Sequence, residues 1–228
     1  MKKKTFLVVS PHPDDAELGL GGVIVKLIKL GHHVSLLDLT NGEPTPLGTP
    51  EKRAKETGAA SEIMGVTDRI TLDFPNRYLM DTLERRLRVA EIIRKVRPDV
   101  MFCPYPEDAH PDHIATKKIT EAARFYAKYT KMNLDTEPHY VPKFFYFFCT
   151  HLRINPPFSF LVDISDEFET KLEAIKQYKS QFVENEKNHF VFDYMKTFNS
   201  YFGTLLRVKY AEPLYAPEEI SGEGILLF

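Results

Sequence analysis

Between residues 5 and 129 of this 228-residue chain, short apolar runs rich in β-branched residues alternate with stretches of helical spacing. No other feature restricts the fold as strongly. Thr5–Ser10 (TFLVVS) reads as a buried strand. Residues 16–30 place Leu18, Val23, Leu27 and Leu30 near one helical face, and Gly31 is a natural stop. A second strand is predicted over 33–40 (HVSLLDLT), ending at Asn41-Gly42. Thr49-Pro50-Glu51 opens a helix running to about Met64: threonine caps it and proline takes its first turn. A third strand falls at 69–74, a helix at 81–97, a fourth strand at 99–104 and a helix at 111–129. This βαβαβαβα order with short links predicts an α/β fold. Its sheet is parallel and doubly wound, with helices on both faces.

The last hundred residues are less regular. Strands are expected at 143–150 (KFFYFFCT) and 160–164, and helices at 166–181 and 193–206. The segment KYAEPLYAPEEISGEG reads as a tail packed on the surface. With no repeat and no linker, one domain over residues 1–228 is the simplest organisation. The chain carries 30 basic and 32 acidic residues, a balance that argues against nucleic-acid partners. The apolar run after MKKK is too short for a signal peptide, and nothing approaches the roughly 20 apolar residues of a membrane span. Cys103 and Cys149 sit in apolar strand-like runs and form no C-x-x-C pair, which suits buried thiols in a cytoplasmic protein.

Ligands of a parallel α/β sheet bind beyond the carboxyl ends of its strands. Polar clusters fall there: His12-Pro13-Asp14-Asp15 after strand one, Asn41-Gly42-Glu43 after strand two, and Glu107-Asp108-Ala109-His110-Pro111-Asp112-His113 after strand four. Strands one and four flank the predicted reversal of strand order, so the first and third clusters converge on one crevice. Two histidines and a carboxylate with an open position for water make a common catalytic zinc site. Two adjacent aspartates repel unless something positive sits between them. A metal resolves that: one aspartate ligates it and the other faces the water as general base. Taken singly, each motif could be a capped turn. Asn41-Gly42 alone is more often a turn, and Arg53 alone a solvated helix charge. His32, His33, His139, His151 and His189 lack such spacing and read as structural or surface residues.

With HPDD at 12–15 and HPDH at 110–113, the chain resembles the LmbE-like (PIG-L) family of zinc-dependent de-N-acetylases. LDLTNGE (37–43), GTPEKR (48–53), FPNRYL (74–79), YKSQF (178–182) and VKYAEPLY (208–215) support the resemblance. The closest group looks like the N-acetylglucosaminyl deacetylases, including those of bacillithiol synthesis that act on N-acetylglucosaminyl-malate. The resemblance implies a Rossmann-like fold and a homo-oligomer, a hexamer built as a trimer of dimers. It makes His12, Asp15 and His113 the zinc ligands and Asp14 the general base. His110 becomes the residue that stabilises the oxyanion or protonates the leaving amine, with Asp112 orienting it. Arg53 and Tyr194 match substrate-binding positions, and Asn41 and Glu43 belong to the loop whose continuation EPTPLG is expected to set substrate choice. Fe²⁺ suits the same donors as Zn²⁺.

The implied reaction is hydrolysis of the acetamide of a small N-acetylated amino sugar, releasing acetate and the free amine. Two other readings stay open. A metal-dependent phosphoesterase commonly holds two metals with more carboxylates. A non-catalytic sugar- or nucleotide-binding module would be expected to follow strand one with G-x-G-x-x-G, whereas this chain has HPDD, and its GLGG at 19–22 lies inside the predicted helix.

Overall fold

The structure is a computed structural model that describes residues 2–132, 134–151 and 157–220. Its seven strands are β1 (Thr5–Ser10), β2 (His33–Asp38), β3 (Asp68–Thr71), β4 (Val100–Pro104), β5 (Lys143–Phe147), β6 (Phe160–Asp163) and β7 (Ala211–Tyr215). Six α-helices accompany them: α1 (Asp15–Lys29), α2 (Pro50–Met64), α3 (Leu83–Val96), α4 (Pro111–Ala127), α5 (Phe168–Lys176) and α6 (Phe190–Leu206). The sheet order is β3-β2-β1-β4-β5-β7-β6; β1 to β5 pair in parallel, and β7 runs antiparallel to both neighbours. The doubly wound, mostly parallel sheet is as the alternation predicts, with β1 beside β4 at the reversal of strand order.

Strand alternation divides the core. Phe6 and Val8 of β1 pack under α1, α2, α5 and α6, while Leu7 and Val9 face α3 and α4. Helix α1 lies unusually close to the sheet. A Cβ at Gly19 would stand 2.4 Å from Phe147, and one at Gly22 2.7 Å from Ile164. The GLGG stretch therefore serves backbone approach, setting the depth at which the N-terminus of α1 meets the site. Cys103 and Cys149 are buried free thiols. No helix among the described residues is long and apolar enough to cross a membrane.

The C-terminal part departs from the sequence reading. Residues 211–215 do not lie on the surface; they form β7, inserted between β5 and β6. Glu212 stabilises this insertion from inside the core. Its carboxylate accepts from Lys171 Nζ at 2.6 Å and from the backbone N–H groups of Gly22 (3.0 Å) and Val23 (2.8 Å). Pairing with β5 stops at Leu214, one residue short of Pro213, where a missing N–H is tolerated. The helix expected over 166–181 ends at Lys176, and a π-helical turn follows at Lys179–Val183. Tyr178 lies in the break, with its buried hydroxyl donating to Glu17 Oε1 at 2.7 Å. That break turns Gln181 and Phe182 toward the cleft.

Candidate active site and metal centre

The carboxyl ends of β1 and β4 deliver the two histidine motifs to one cleft of about 220 Å³. After β1, Asp14 caps α1 with φ +109°, a conformation disfavoured for a residue with a Cβ. Asp15, the first residue of α1, is buried and takes His12 Nδ1 at 3.0 Å on Oδ2. After β4, His110 caps α4 and Pro111 takes its first turn, which brings His113 around one turn to the same side. His113 Nε2 points at Asp15 Oδ2 from 3.5 Å. The His12 and His113 ring centroids are 5.6 Å apart.

These donors fit a divalent metal. His12, Asp15 and His113 each offer a ligand atom, and the three lie within 4.8 Å of one another. His113 is 1% exposed, yet neither ring nitrogen makes a well-formed hydrogen bond among the described residues, so Nε2 is a buried ligand atom aimed at Asp15 without a hydrogen-bond partner. Both histidines are backed by carboxylates: His12 Nε2 meets Asp112 Oδ2 at 3.1 Å, and His113 Nδ1 stands 3.0 Å from Asp108 Oδ2. The hydrogen bond to Asp112 orients the His12 ring, and Asp108 stands beside His113 Nδ1 without a well-formed hydrogen bond. His12, His110 and Asp112 also converge, but Asp112 is already engaged by the backbone N–H groups of Arg77 (2.7 Å) and Leu79 (3.2 Å).

Charge reinforces this division of labour. Burial lowers the basicity of His12, but Asp112 and Asp15 outweigh it and push the imidazole up to about 10, a setting that favours positive charge. Asp15 is held well below the usual carboxylate range: burial opposes ionisation, and His113 and His12 overcome it. Asp14 goes the other way. Burial pushes its carboxyl up to about 7, with Arg53 and His12 restraining the rise and Asp15 adding to it. Burial, with His113 and His12 nearby, takes His110 down to about 4. Its Nδ1 accepts the Asp112 backbone N–H at 3.2 Å, so the neutral ring carries its proton on Nε2.

Arg53, from the first turns of α2, is 3% exposed. Its guanidinium donates to Asp14 Oδ2 (2.8 Å), the Pro13 carbonyl (2.9 Å) and Glu43 Oε1 (3.2 Å). It therefore grips the strained Asp14 turn, and Glu43 lies behind it, away from the cleft wall. Asn41 is exposed and lines a separate cavity on the far side of Arg53; its Oδ1 accepts the Glu43 N–H. Tyr194 is half-buried on α6, its ring stacked on Phe198, and burial beside Cys149 and Asp108 raises its hydroxyl pKa. The Asp112 carboxylate does not touch His110. It hydrogen-bonds His12 and the 77–79 loop, while the Asp112 backbone N–H donates to His110 Nδ1.

Among the cleft residues that escaped the sequence reading are His151 and Arg77. His151 is not a bystander: its ring lies 5.6 Å from His110 and 5.7 Å from His113, on the cleft wall. It follows β5 as His12 follows β1, so the strand-end rule applied to KFFYFFCTH would have found it. Arg77, in the loop after β3, lines the cleft with φ +69° and is the one guanidinium there without a carboxylate partner among the described residues.

The family model described as "GlcNAc-PI de-N-acetylase" (PIG-L) matches residues 7–124. A diacetylchitobiose deacetylase of Thermococcus kodakarensis is 33% identical over 92% of this chain and 81% of its own length. A 1D-myo-inositol 2-acetamido-2-deoxy-alpha-D-glucopyranoside deacetylase of Catenulispora acidiphila is 29% identical over 53% of this chain and 51% of its own length. The crystal structure of the conserved protein TT1542 from Thermus thermophilus superposes with a TM-score of 0.88, at 39% identity over 96% of both chains.

Proposed function

The chain belongs to the PIG-L family of de-N-acetylases, and from that premise we propose that it is a zinc-dependent hydrolase of the acetamide of a small N-acetylglucosamine glycoside, N-acetylglucosaminyl-malate or a relative of it. The observation that carries the reading is the convergence of His12, Asp15 and His113 with Asp14 held beside them by Arg53. His12, Asp15 and His113 would hold Zn²⁺, which would supply Lewis acidity for the acetamide carbonyl and for water near neutral pH.

The remaining steps belong to the chain's own side chains. Arg53 occupies Asp14 Oδ2, leaving Oδ1 to take the proton of the attacking water. His110, neutral and protonated on Nε2, donates to the carbonyl oxygen as negative charge gathers there. As the C–N bond breaks, Asp14 returns its proton to the amine; acetate and the amino sugar leave. A neutral imidazole near pKa 4 is a hydrogen-bond donor and a poor proton store, which favours Asp14 over His110 for the return. Arg53 acts here through Asp14, and Arg77 is the group available to the aglycone. Glu43 supports Arg53 and Asn41 supports Glu43, while Tyr194 packs on Phe198 outside this chain of contacts. A hexamer built as a trimer of dimers rests on the family resemblance, a single domain over 1–228 on the lack of a repeat or linker in the sequence, and a cytoplasmic setting on its two buried thiols.

The test incubates zinc-loaded protein with N-acetylglucosamine, N-acetylglucosaminyl-malate, diacetylchitobiose and an N-acetylglucosamine nucleotide, and measures free amine and acetate. Release from one of them should fall about 10²–10⁴-fold in Asp14→Asn while the metal stays bound. Near-normal turnover in that variant would remove Asp14 as the base. No release from any of the four by metal-loaded protein would overturn the proposed substrates.

A further inference from the structure

We propose that Asp108, His113 and Cys149 form a second metal position, which takes thiophilic divalent cations such as Cd²⁺ or excess Zn²⁺ and silences the enzyme by claiming His113. The ligand atoms of these three residues lie within 4.8 Å of one another. All three side chains are sheltered: the Asp108 side chain is 2% exposed, and His113 and Cys149 are buried. The separation of 3.0 Å between His113 Nδ1 and Asp108 Oδ2 is close to the roughly 3.4 Å that two short bonds to one tetrahedral ion require. His113 Nδ1 makes no well-formed hydrogen bond despite its burial, so a donor atom points into the set without a settled partner. Cys149 sits two residues beyond the end of β5 and is a free thiol. The other cysteine, Cys103, lies within β4.

The donor types choose the cation. A thiolate with one imidazole and one carboxylate favours Zn²⁺ or Cd²⁺ over Mg²⁺ or Ca²⁺. Burial keeps the Cys149 thiol protonated, so binding must release that proton to solvent as the sulfur–metal bond forms. The consequence for catalysis follows from the imidazole. A neutral ring offers one lone pair at a time. When the ring proton is on Nδ1, on the Asp108 side, the lone pair is on Nε2 and faces Asp15. A cation on Nδ1 displaces the ring proton to Nε2 as the catalytic cation leaves that nitrogen for solvent, so His113 is lost to the His12/Asp15 set. No redox step is involved, and a chelator reverses the event.

The inference rests on the proposed function only in assigning His113 to the catalytic centre, and its main readout is spectroscopic. Protein carrying one equivalent of Zn²⁺ is titrated with Cd²⁺, following ultraviolet thiolate-to-cadmium charge-transfer absorption alongside deacetylation. The band should grow in step with the loss of activity, and a chelator should reverse both. Cys149→Ser should keep its activity, show no band and resist Cd²⁺ at concentrations that inhibit the parent; Cys103→Ser should behave as the parent. Should Cys149→Ser fold poorly, Cys149→Ala serves in its place, and cadmium NMR of the parent reports sulfur ligation without any substitution. Absence of the band in the parent, or its persistence without Cys149, overturns the proposal whether or not any substrate is turned over.

Discussion

Removing Arg53 separates two roles that an arginine beside a sugar site can play. If it binds the aglycone, Arg53→Ala raises KM for acidic substrates and leaves kcat. If it holds Asp14, kcat falls for every substrate. The structure supports the second. The hydrogen bonds that Arg53 donates go to the protein itself: to Asp14, Glu43 and the Pro13 carbonyl. Truncating one partner of a buried ion pair costs about 3–5 kcal/mol, because the carboxylates are left unpaired. Part of this appears as a lower unfolding midpoint. The catalytic part works through Asp14, whose carboxyl already stands at about 7 with Arg53 restraining it. Without the guanidinium, burial and Asp15 push it higher. Each further unit above the working pH cuts the ionised base about tenfold, equivalent to about 1.36 kcal/mol. The sign is fixed: a base with a raised pKa loses activity as pH falls and regains it as pH rises. A cation in the centre is common to both proteins and leaves the direction unchanged. Release of Asp14 from its φ of +109° adds misplacement, so the total should fall within the roughly 10²–10⁴ range of a lost general base. The assay compares kcat and KM for a neutral and an acidic N-acetylglucosamine glycoside across pH, with thermal melts of Arg53→Ala and Arg53→Lys. A KM rise confined to the acidic substrate, with kcat intact, would refute the reasoning.

Asp112→Asn should weaken metal affinity about 10–100-fold in a chelator competition, since it loses the carboxylate behind His12; unchanged affinity would remove Asp112 as its support. Arg77→Gln should raise KM for an anionic glycoside by roughly tenfold or more, the worth of a charge-assisted hydrogen bond, and spare neutral diacetylchitobiose. An equal effect on both substrates would reduce Arg77 to its contact with the Pro44 carbonyl.

The first half of the fold was legible because its signals are local and redundant. TFLVVS, HVSLLDLT and DVMFCP are apolar enough for parallel strands, and Thr49-Pro50 and His110-Pro111 mark helix starts. The later part uses polar residues inside the core. Glu212 gives β7 the look of an exposed segment, yet its charge is met by Lys171 and two α1 amides that no window of sequence shows together. Tyr178 keeps the apolar period of α5, but its hydroxyl is committed to Glu17, 161 residues earlier. Long-range partners decided both cases against the local pattern.

The ligand candidates were legible for a similar reason, since strand ends converge in a parallel sheet and their polar residues can be read off in order. Their supports were not, and Asp112 shows why. Its place two residues after His110 suggests that it orients that ring. On a helix, side chains at i and i+2 do not face each other. At the N-terminus of α4 the Asp112 carboxylate makes its side-chain hydrogen bond to His12, 100 residues back in the chain, and not to the His110 cap. There it also takes the N–H groups of Arg77 and Leu79, so one carboxylate ties a metal-ligand candidate to the loop whose guanidinium has no carboxylate partner among the described residues. A substrate that draws Arg77 inward must therefore pull on the hydrogen bonds behind His12. With Arg77 in the role proposed above, that loop and the candidate metal centre share a single anchor, and substitutions at Asp112 should disturb both together.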